Sequence, residues 1–151
     1  MEIAEVIRPE HVGVGLKAAD KGQLIEALGR QAAAATGLDV AAVTGALAAR
    51  ERLGSTGLGR GFALPHARLA GLDRFFAAFV RLAKPIEYDA IDGKPVDLVC
   101  LLLMPAAAGN EHLAALAAIS RPMRDAEFVS RLRRAGSAAA LGEVLLHAGG
   151  S

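Results

Sequence analysis

The stretch from Asp97 to Met104 is apolar almost throughout, and it limits what this chain can fold into more than any other segment. A strand with one wet face alternates apolar and polar residues. A run without that alternation reads as a strand buried on both faces. Phe75–Leu82 has the same property, because its alternating sets, Phe76/Ala78/Val80/Leu82 and Phe75/Ala77/Phe79/Arg81, are both mostly apolar. Strands of this kind need a layer above and a layer below. The expectation is therefore an α/β domain with a central sheet and helices on both faces.

The helices needed for those layers are signalled in turn. Asp20 is placed to cap a helix whose apolar positions are Leu24, Ile25, Leu28, Ala32 and Ala35, and Gly37 ends it. Asp39 caps a second helix with Val40, Val43 and Leu47 on one stripe and Gly54 as its stop. Arg50 falls three residues after Leu47 and continues the inward stripe, an odd place for a charge unless it meets an anion or a carboxylate. Val12–Leu16 reads as a short first strand, and Ile91-Asp92-Gly93-Lys94-Pro95 as a turn. Asn110 is expected to cap a helix with His112, Leu116, Ile119 and Met123 on its stripe, kinked or split by Pro122 near Ser120. A final helix runs from Ser137 to about His147.

Composition bounds the class. The chain has 151 residues, 53% hydrophobic and 22% charged, and a net charge of +1. That describes one globular domain spanning 1–151 and argues against a dedicated nucleic-acid binder, which carries a strong basic excess. The acidic start, Met1 to Glu5, lacks a signal-peptide n-region. The longest apolar stretch, Leu98 to Ala108, contains Pro105 and is too short to span a bilayer, so no membrane insertion is expected. The single cysteine, Cys100, reads as a buried thiol, and a cytoplasmic location fits it. The four histidines and this cysteine have no metal-ligand spacing, so neither metal nor cofactor is expected.

The positional information gathers in residues 54–68. Gly54-Ser55-Thr56-Gly57-Leu58-Gly59-Arg60-Gly61 precedes the apolar run Phe62–Leu64, and Pro65 stops that run before His66. It is no dinucleotide fingerprint, since Phe62 stands where the third glycine belongs and a helix precedes it; nor is it a P-loop, which needs Gly-Lys-Ser/Thr. Ser55 and Thr56 read either as nucleophiles or phosphorylation sites, or as local caps of the turn. His66 by itself is as consistent with a satisfied, partly buried histidine. Arg50 and His112 change that balance, because a strand end, a strand-to-helix loop and an inward arginine can converge in an open α/β sheet.

The run Arg50-Glu51-Arg52-Leu53-Gly54-Ser55-Thr56-Gly57-Leu58-Gly59, continued by Gly61, Ala63-Leu64-Pro65-His66-Ala67-Arg68, resembles the enzyme IIA domain of the bacterial phosphotransferase system, fructose/mannitol and nitrogen-regulatory type. Leu101-Leu102-Leu103-Met104-Pro105 with Gly109-Asn110-Glu111-His112-Leu113 is similar to its second signature, and Arg124-Asp125 and Glu127-Phe128 extend the likeness. The resemblance runs from about residue 5 to 146 and implies a mixed β-sheet sandwiched between helices. It implies that His66 is the phosphoryl acceptor, forming a tele-phosphohistidine at Nε2, with His112 and Arg50 assisting. Backbone N–H groups of the loop at Ser55, Thr56, Gly57, Gly59 and Gly61 are candidates for holding phosphate oxygens. Pro122, Arg60 and Phe62 depart from the family's usual residues at their positions.

The resemblance also implies partners. Phosphate arrives from an HPr-like phosphocarrier protein. With no transporter segment, IIB-like domain or HPr-like domain in the sequence, the chain looks more like the nitrogen-regulatory branch. There, phosphorylation state controls a target such as a kinase, channel or enzyme. The alternative is a sugar-specific IIA subunit that passes phosphate to a separate IIB component. Phe62 and Leu69 are expected to supply an apolar docking contact near His66, with Arg60 and Arg68 as a cationic rim, the alternative for Phe62 being a place in the core. His11 is expected at the surface, His147 has no assigned role, and Arg131, Arg133 and Arg134 read as a solvated helix face.

Overall fold

The computed structural model describes residues 1–147, so positions 148–151 of the expected domain lie outside the described residues. Its centre is β6 (Val96–Pro105), which pairs antiparallel with β5 (Phe76–Ile86). On the far side of β5 lies β1 (Ile7–Leu16), parallel to it. Along the other edge of β6 run β3 (Phe62–Ala63) and β4 (His66–Leu69), both parallel to it, and β2 (Gly57–Gly59) folds back antiparallel on β3. The sheet is mixed and six-stranded, in the order β1-β5-β6-β3-β2 with β4 beside β6.

Side-chain alternation along β6 divides the core in two. Val99, Leu101 and Leu103 face the layer of α2 (Lys21–Thr36) and α3 (Val40–Arg52), meeting Leu24, Leu28, Val43 and Leu47. Leu98, Cys100, Leu102 and Met104 face the other layer. That layer holds α1 (Ile3–Val6), α4 (Glu111–Ser120), α5 (Ala126–Arg134) and α6 (Ala138–Leu146), whose Ile3, Ile119, Leu132, Leu141 and Leu145 pack on the strand. The α/β sandwich expected from two doubly apolar strands is thus the observed fold. Cys100 is fully buried, and desolvation pushes its thiol pKa well up, away from the reactive thiolate.

Local signals explain most boundaries. Asp20 accepts from Gln23 N at 2.9 Å, Asp39 from Ala42 N at 3.1 Å, and Ser137 from Ala140 N at 3.1 Å. Gly37 closes α2 in the left-handed region at φ 78°. Pro122 splits the expected long helix: α4 stops at Ser120 and a 3-10 turn covers Pro122–Arg124.

Other expectations fail for identifiable reasons. Asn110 does not cap α4 through its side chain, because it sits in the helical region (φ −62°, ψ −15°), where its side chain makes no cap bond. Ala35 and Val40 are exposed, and Ala33 is buried instead of Ala35. The first strand starts at Ile7 rather than Val12. Its early half is irregularly paired and carries Pro9, which an edge strand tolerates.

Candidate active site

His66 is the first residue of β4. Pro65, which lacks an N–H, separates β3 from β4, while its carbonyl still accepts from Leu102 N at 3.0 Å. The chain therefore stays on β6 while the His66 side chain turns back on its own backbone. His66 Nδ1 lies 2.8 Å from Leu64 O. A carbonyl only accepts, so Nδ1 carries the proton and Nε2 keeps its lone pair, with no hydrogen-bond partner among the described residues. Burial pushes the His66 pKa below its ordinary 6.5. The Arg50 charge adds to this against the opposing Leu64 bond and Glu51 charge, so the ring is neutral at pH 7.

Arg50 occupies the last turn of α3, which packs against β4. Its Nη1 donates to Gly54 O at 2.8 Å, and the half-buried guanidinium lines the same cleft as His66. His112 comes from the far end of the sequence. It lies in the first turn of α4, just past the end of β6, and is 3% exposed. His112 Nε2 donates to Pro105 O at 3.0 Å, and its buried Nδ1 has no partner. Phe75 stands edge-on to this ring, centroids 6.5 Å apart. His66, Arg50 and His112 thus meet in one cleft of about 820 Å³, beside β4 and between α3 and α4. Of the side chains that line it, His66 has Nε2 and His112 has Nδ1 without a hydrogen-bond partner among the described residues.

The glycine loop goes elsewhere. None of Ser55, Thr56, Gly57, Gly59 and Gly61 lines the cleft. Ser55 Oγ donates to Tyr88 O and accepts from Gly57 N, both at 3.1 Å. Thr56 is 2% exposed, its hydroxyl on Glu51 and on Tyr88 OH (2.9 Å), its N–H on Glu51 Oε2. A Cβ on Gly57 would stand 2.8 Å from Ala90 Cα, so the hairpin packs against the 88–97 segment with no room for a side chain there. Gly61 abuts the Arg133 guanidinium. The loop that the sequence suggested as a phosphate cradle is the framework of a hairpin outside the cleft, with the N–H groups of Thr56 and Gly57 and the carbonyls of Thr56, Gly57 and Gly61 engaged within the protein.

The expected docking residues also need revision. Phe62 and Leu69 are buried, at 1% and 7% exposure, and belong to the core. Arg68 lines the cleft but Arg60 does not; Arg60 sits at φ 61° in the β2–β3 turn, pinned by Asp92 to its N–H and by Arg133 to its carbonyl. Arg133 also pairs with Asp97 at 2.9 Å, so it is not merely a solvated face. His11 is half-buried against Phe76, centroids 4.8 Å apart. The apolar residues that do rim the cleft are Leu53, 85% exposed, and Leu113, 71% exposed. Both lie inside the motifs, and no single-sequence signal distinguishes an exposed leucine from a buried one there. Glu51 is the other omission: its partners Lys21 and Tyr88 lie 30 and 37 residues away in sequence.

Comparison with known proteins gives a consistent picture. The family model "Phosphoenolpyruvate-dependent sugar phosphotransferase system, EIIA 2" matches residues 5–148. A nitrogen regulatory protein of Bradyrhizobium diazoefficiens is 43% identical over 145 residues, 96% of this chain and 95% of that one. The fructose-specific EIIA component of Haloferax volcanii is 38% identical over 100 residues, 66% of this chain and 65% of that one. The crystal structure of nitrogen regulatory protein IIA-Ntr from Neisseria meningitidis superposes with a TM-score of 0.89 at 36% identity, covering 95% of this chain and 98% of that one.

Proposed function

This chain belongs to the EIIA 2 family of the phosphoenolpyruvate-dependent sugar phosphotransferase system, and we propose that it carries phosphate on His66 as a cytoplasmic nitrogen-regulatory IIA protein. The observation that carries the reading is the tautomer: Leu64 O holds the proton of His66 Nδ1, which leaves the Nε2 lone pair unpartnered in the cleft shared with Arg50 and His112. A phosphorylated HPr-like carrier presents its phosphoryl group there. Nε2 attacks phosphorus, a new N–P bond forms, and the carrier's N–P bond breaks with the electron pair returning to the carrier's ring. His66 keeps its Nδ1 proton and becomes a cationic ring, so its bond to the Leu64 carbonyl strengthens as charge develops. The same cationic ring is a good leaving group, which suits a group that must be handed on.

Transferring phosphoryl spreads negative charge over three equatorial oxygens, and the protein's task is positioning and charge stabilisation. Arg50 offers a planar fork of donors. His112, with Nε2–H committed to Pro105, presents Nδ1; protonated, it donates a second charged hydrogen bond to those oxygens. Leu53 and Leu113 supply the apolar contact for the docking carrier, and Arg68 the adjacent positive charge.

A regulatory output is favoured by the 43% identity to a nitrogen regulatory protein across nearly the whole chain, against a partial match to the fructose-specific component. The phosphorylation state of His66 would then set which target protein binds. The test is incubation with enzyme I, an HPr-like carrier and phosphoenolpyruvate, followed by intact-mass measurement. One acid-labile phosphoryl adduct is expected on wild type and none on His66→Ala. An adduct that survives in His66→Ala overturns the assignment. Rapid onward transfer to a IIB component would move the output from regulation to sugar uptake.

A further inference from the structure

Behind Arg50, on the side of α3 turned away from the cleft, sits a buried carboxylate that phosphoryl transfer as described does not use. Glu51 follows Arg50 by one helical position, about 100° around the axis, so the two side chains diverge. The Glu51 side chain is 6% exposed. Its oxygens accept from Lys21 Nζ at 2.9 Å, Tyr88 OH at 3.0 Å, Thr56 N at 3.3 Å and the Thr56 hydroxyl. Lys21 also lies 4.6 Å from the Tyr88 ring centroid, closing the cluster from α2. Burial opposes the charged form. The Thr56 hydroxyl, the bond and charge of Lys21 and the Thr56 N–H outweigh it and hold the pKa below the ordinary 4.5. These donors favour the charged form of Glu51.

The bonds form a chain that ends at the site. Glu51 fixes Thr56, and so fixes the Leu53–Ser55 turn between them. Within that turn, Gly54 N donates to Glu51 O at 3.1 Å, and Gly54 O accepts Arg50 Nη1 at 2.8 Å. The Arg50 guanidinium is therefore gripped by a carbonyl whose own position depends on Glu51. An arginine has four rotatable side-chain bonds, and left free it would lose entropy on meeting the phosphoryl group.

We propose that Glu51 is the positioning residue for Arg50: anchored by Lys21, Thr56 and Tyr88, it holds the turn at Gly54 that keeps the Arg50 guanidinium pre-set in the His66 cleft. This rests on the reading of Arg50 as a phosphoryl-stabilising group, and it adds the device that pre-organises it. Glu51 never touches the phosphoryl group.

The test combines kinetics with a double-mutant cycle. Glu51→Gln keeps the shape, removes the charge and mismatches the donors around it. It is expected to lower kcat for phosphoryl acceptance by on the order of tenfold, with KM for the carrier unchanged. Tyr88→Phe, which removes one donor and leaves the fold intact, should give a smaller loss in the same parameter and serves if Glu51→Gln does not fold. In an Arg50→Ala background, Glu51→Gln should have no further effect. An equal loss with and without Arg50, or a loss confined to KM, overturns the proposal. A crystal structure of Glu51→Gln, which needs no phosphoryl transfer, should show Arg50 released from Gly54 O. Arg50 still bonded there overturns the proposal even if His66 proves not to be the acceptor, and so separates this failure from failure of the phosphoryl-carrier reading.

Discussion

Residues 50–68 supply the glycine-rich hairpin and one side of the cleft beside β4, whose other side is the end of β6 and α4, yet the two regions treat their polar groups in opposite ways. In the hairpin, Ser55, Thr56, Gly57 and Gly61 bond to Tyr88, Glu51, Ile91 and the start of β6. In the cleft, Nε2 of His66 and Nδ1 of His112 have no protein partner among the described residues. His112 Nδ1 is the buried side-chain polar atom left without a partner among the described residues, where such groups normally find one. Motif density points to the hairpin; hydrogen-bond accounting points to the cleft.

Substitutions can break this contrast. His112→Ala should slow phosphoryl acceptance about 100- to 1000-fold, the usual cost of one stabilising donor, without moving the phosphate from His66. Arg50→Lys should slow it less, because the charge stays and the fork is lost. Single-turnover rates with phosphorylated carrier measure both; an unchanged rate removes that residue from the site. Gly57→Ala should do the converse. A methyl group against Ala90 should cost about 1–3 kcal/mol of stability by denaturant unfolding, with the per-molecule transfer rate intact. A Gly57→Ala protein of full stability but slow transfer would return the hairpin to the chemistry.

Two smaller effects sharpen the picture. Leu53→Asp should raise KM for the carrier by about tenfold or more and leave kcat in place, since it alters only the exposed rim. Attack needs a neutral His66 ring, and burial together with the Arg50 charge lowers its pKa, so the acid limb that His66 sets lies below 6.5. In Arg50→Ala one of the lowering causes is gone, and the acid limb should move to higher pH.

Much of this was legible in the residues. β5 and β6 were visible because neither face is polar, and α2, α3 and α6 because Asp20, Asp39 and Ser137 make the cap bonds their types favour. The three cleft residues were legible from motif context. What the sequence hides is the direction of side chains within a motif. Leu53 and Leu113 are exposed while Phe62 and Leu69 are buried, and all four are apolar residues in or beside the motifs. The role of the glycine loop depends on Tyr88 and Ala90, more than thirty residues on, a distance over which spacing carries no information. Asn110 failed as a cap because the chain enters α4 through a tight turn already in helical geometry, with His112 N on Gly109 O.

The central claim is that Leu64 O selects the nitrogen that reacts. The most direct measurement is nitrogen NMR of histidine-labelled protein after phosphorylation by the carrier. The account predicts phosphorus on Nε2 of His66, with Nδ1 still protonated and bonded to the Leu64 carbonyl. Phosphorus on Nδ1 of His66, or on either nitrogen of His112, would contradict it.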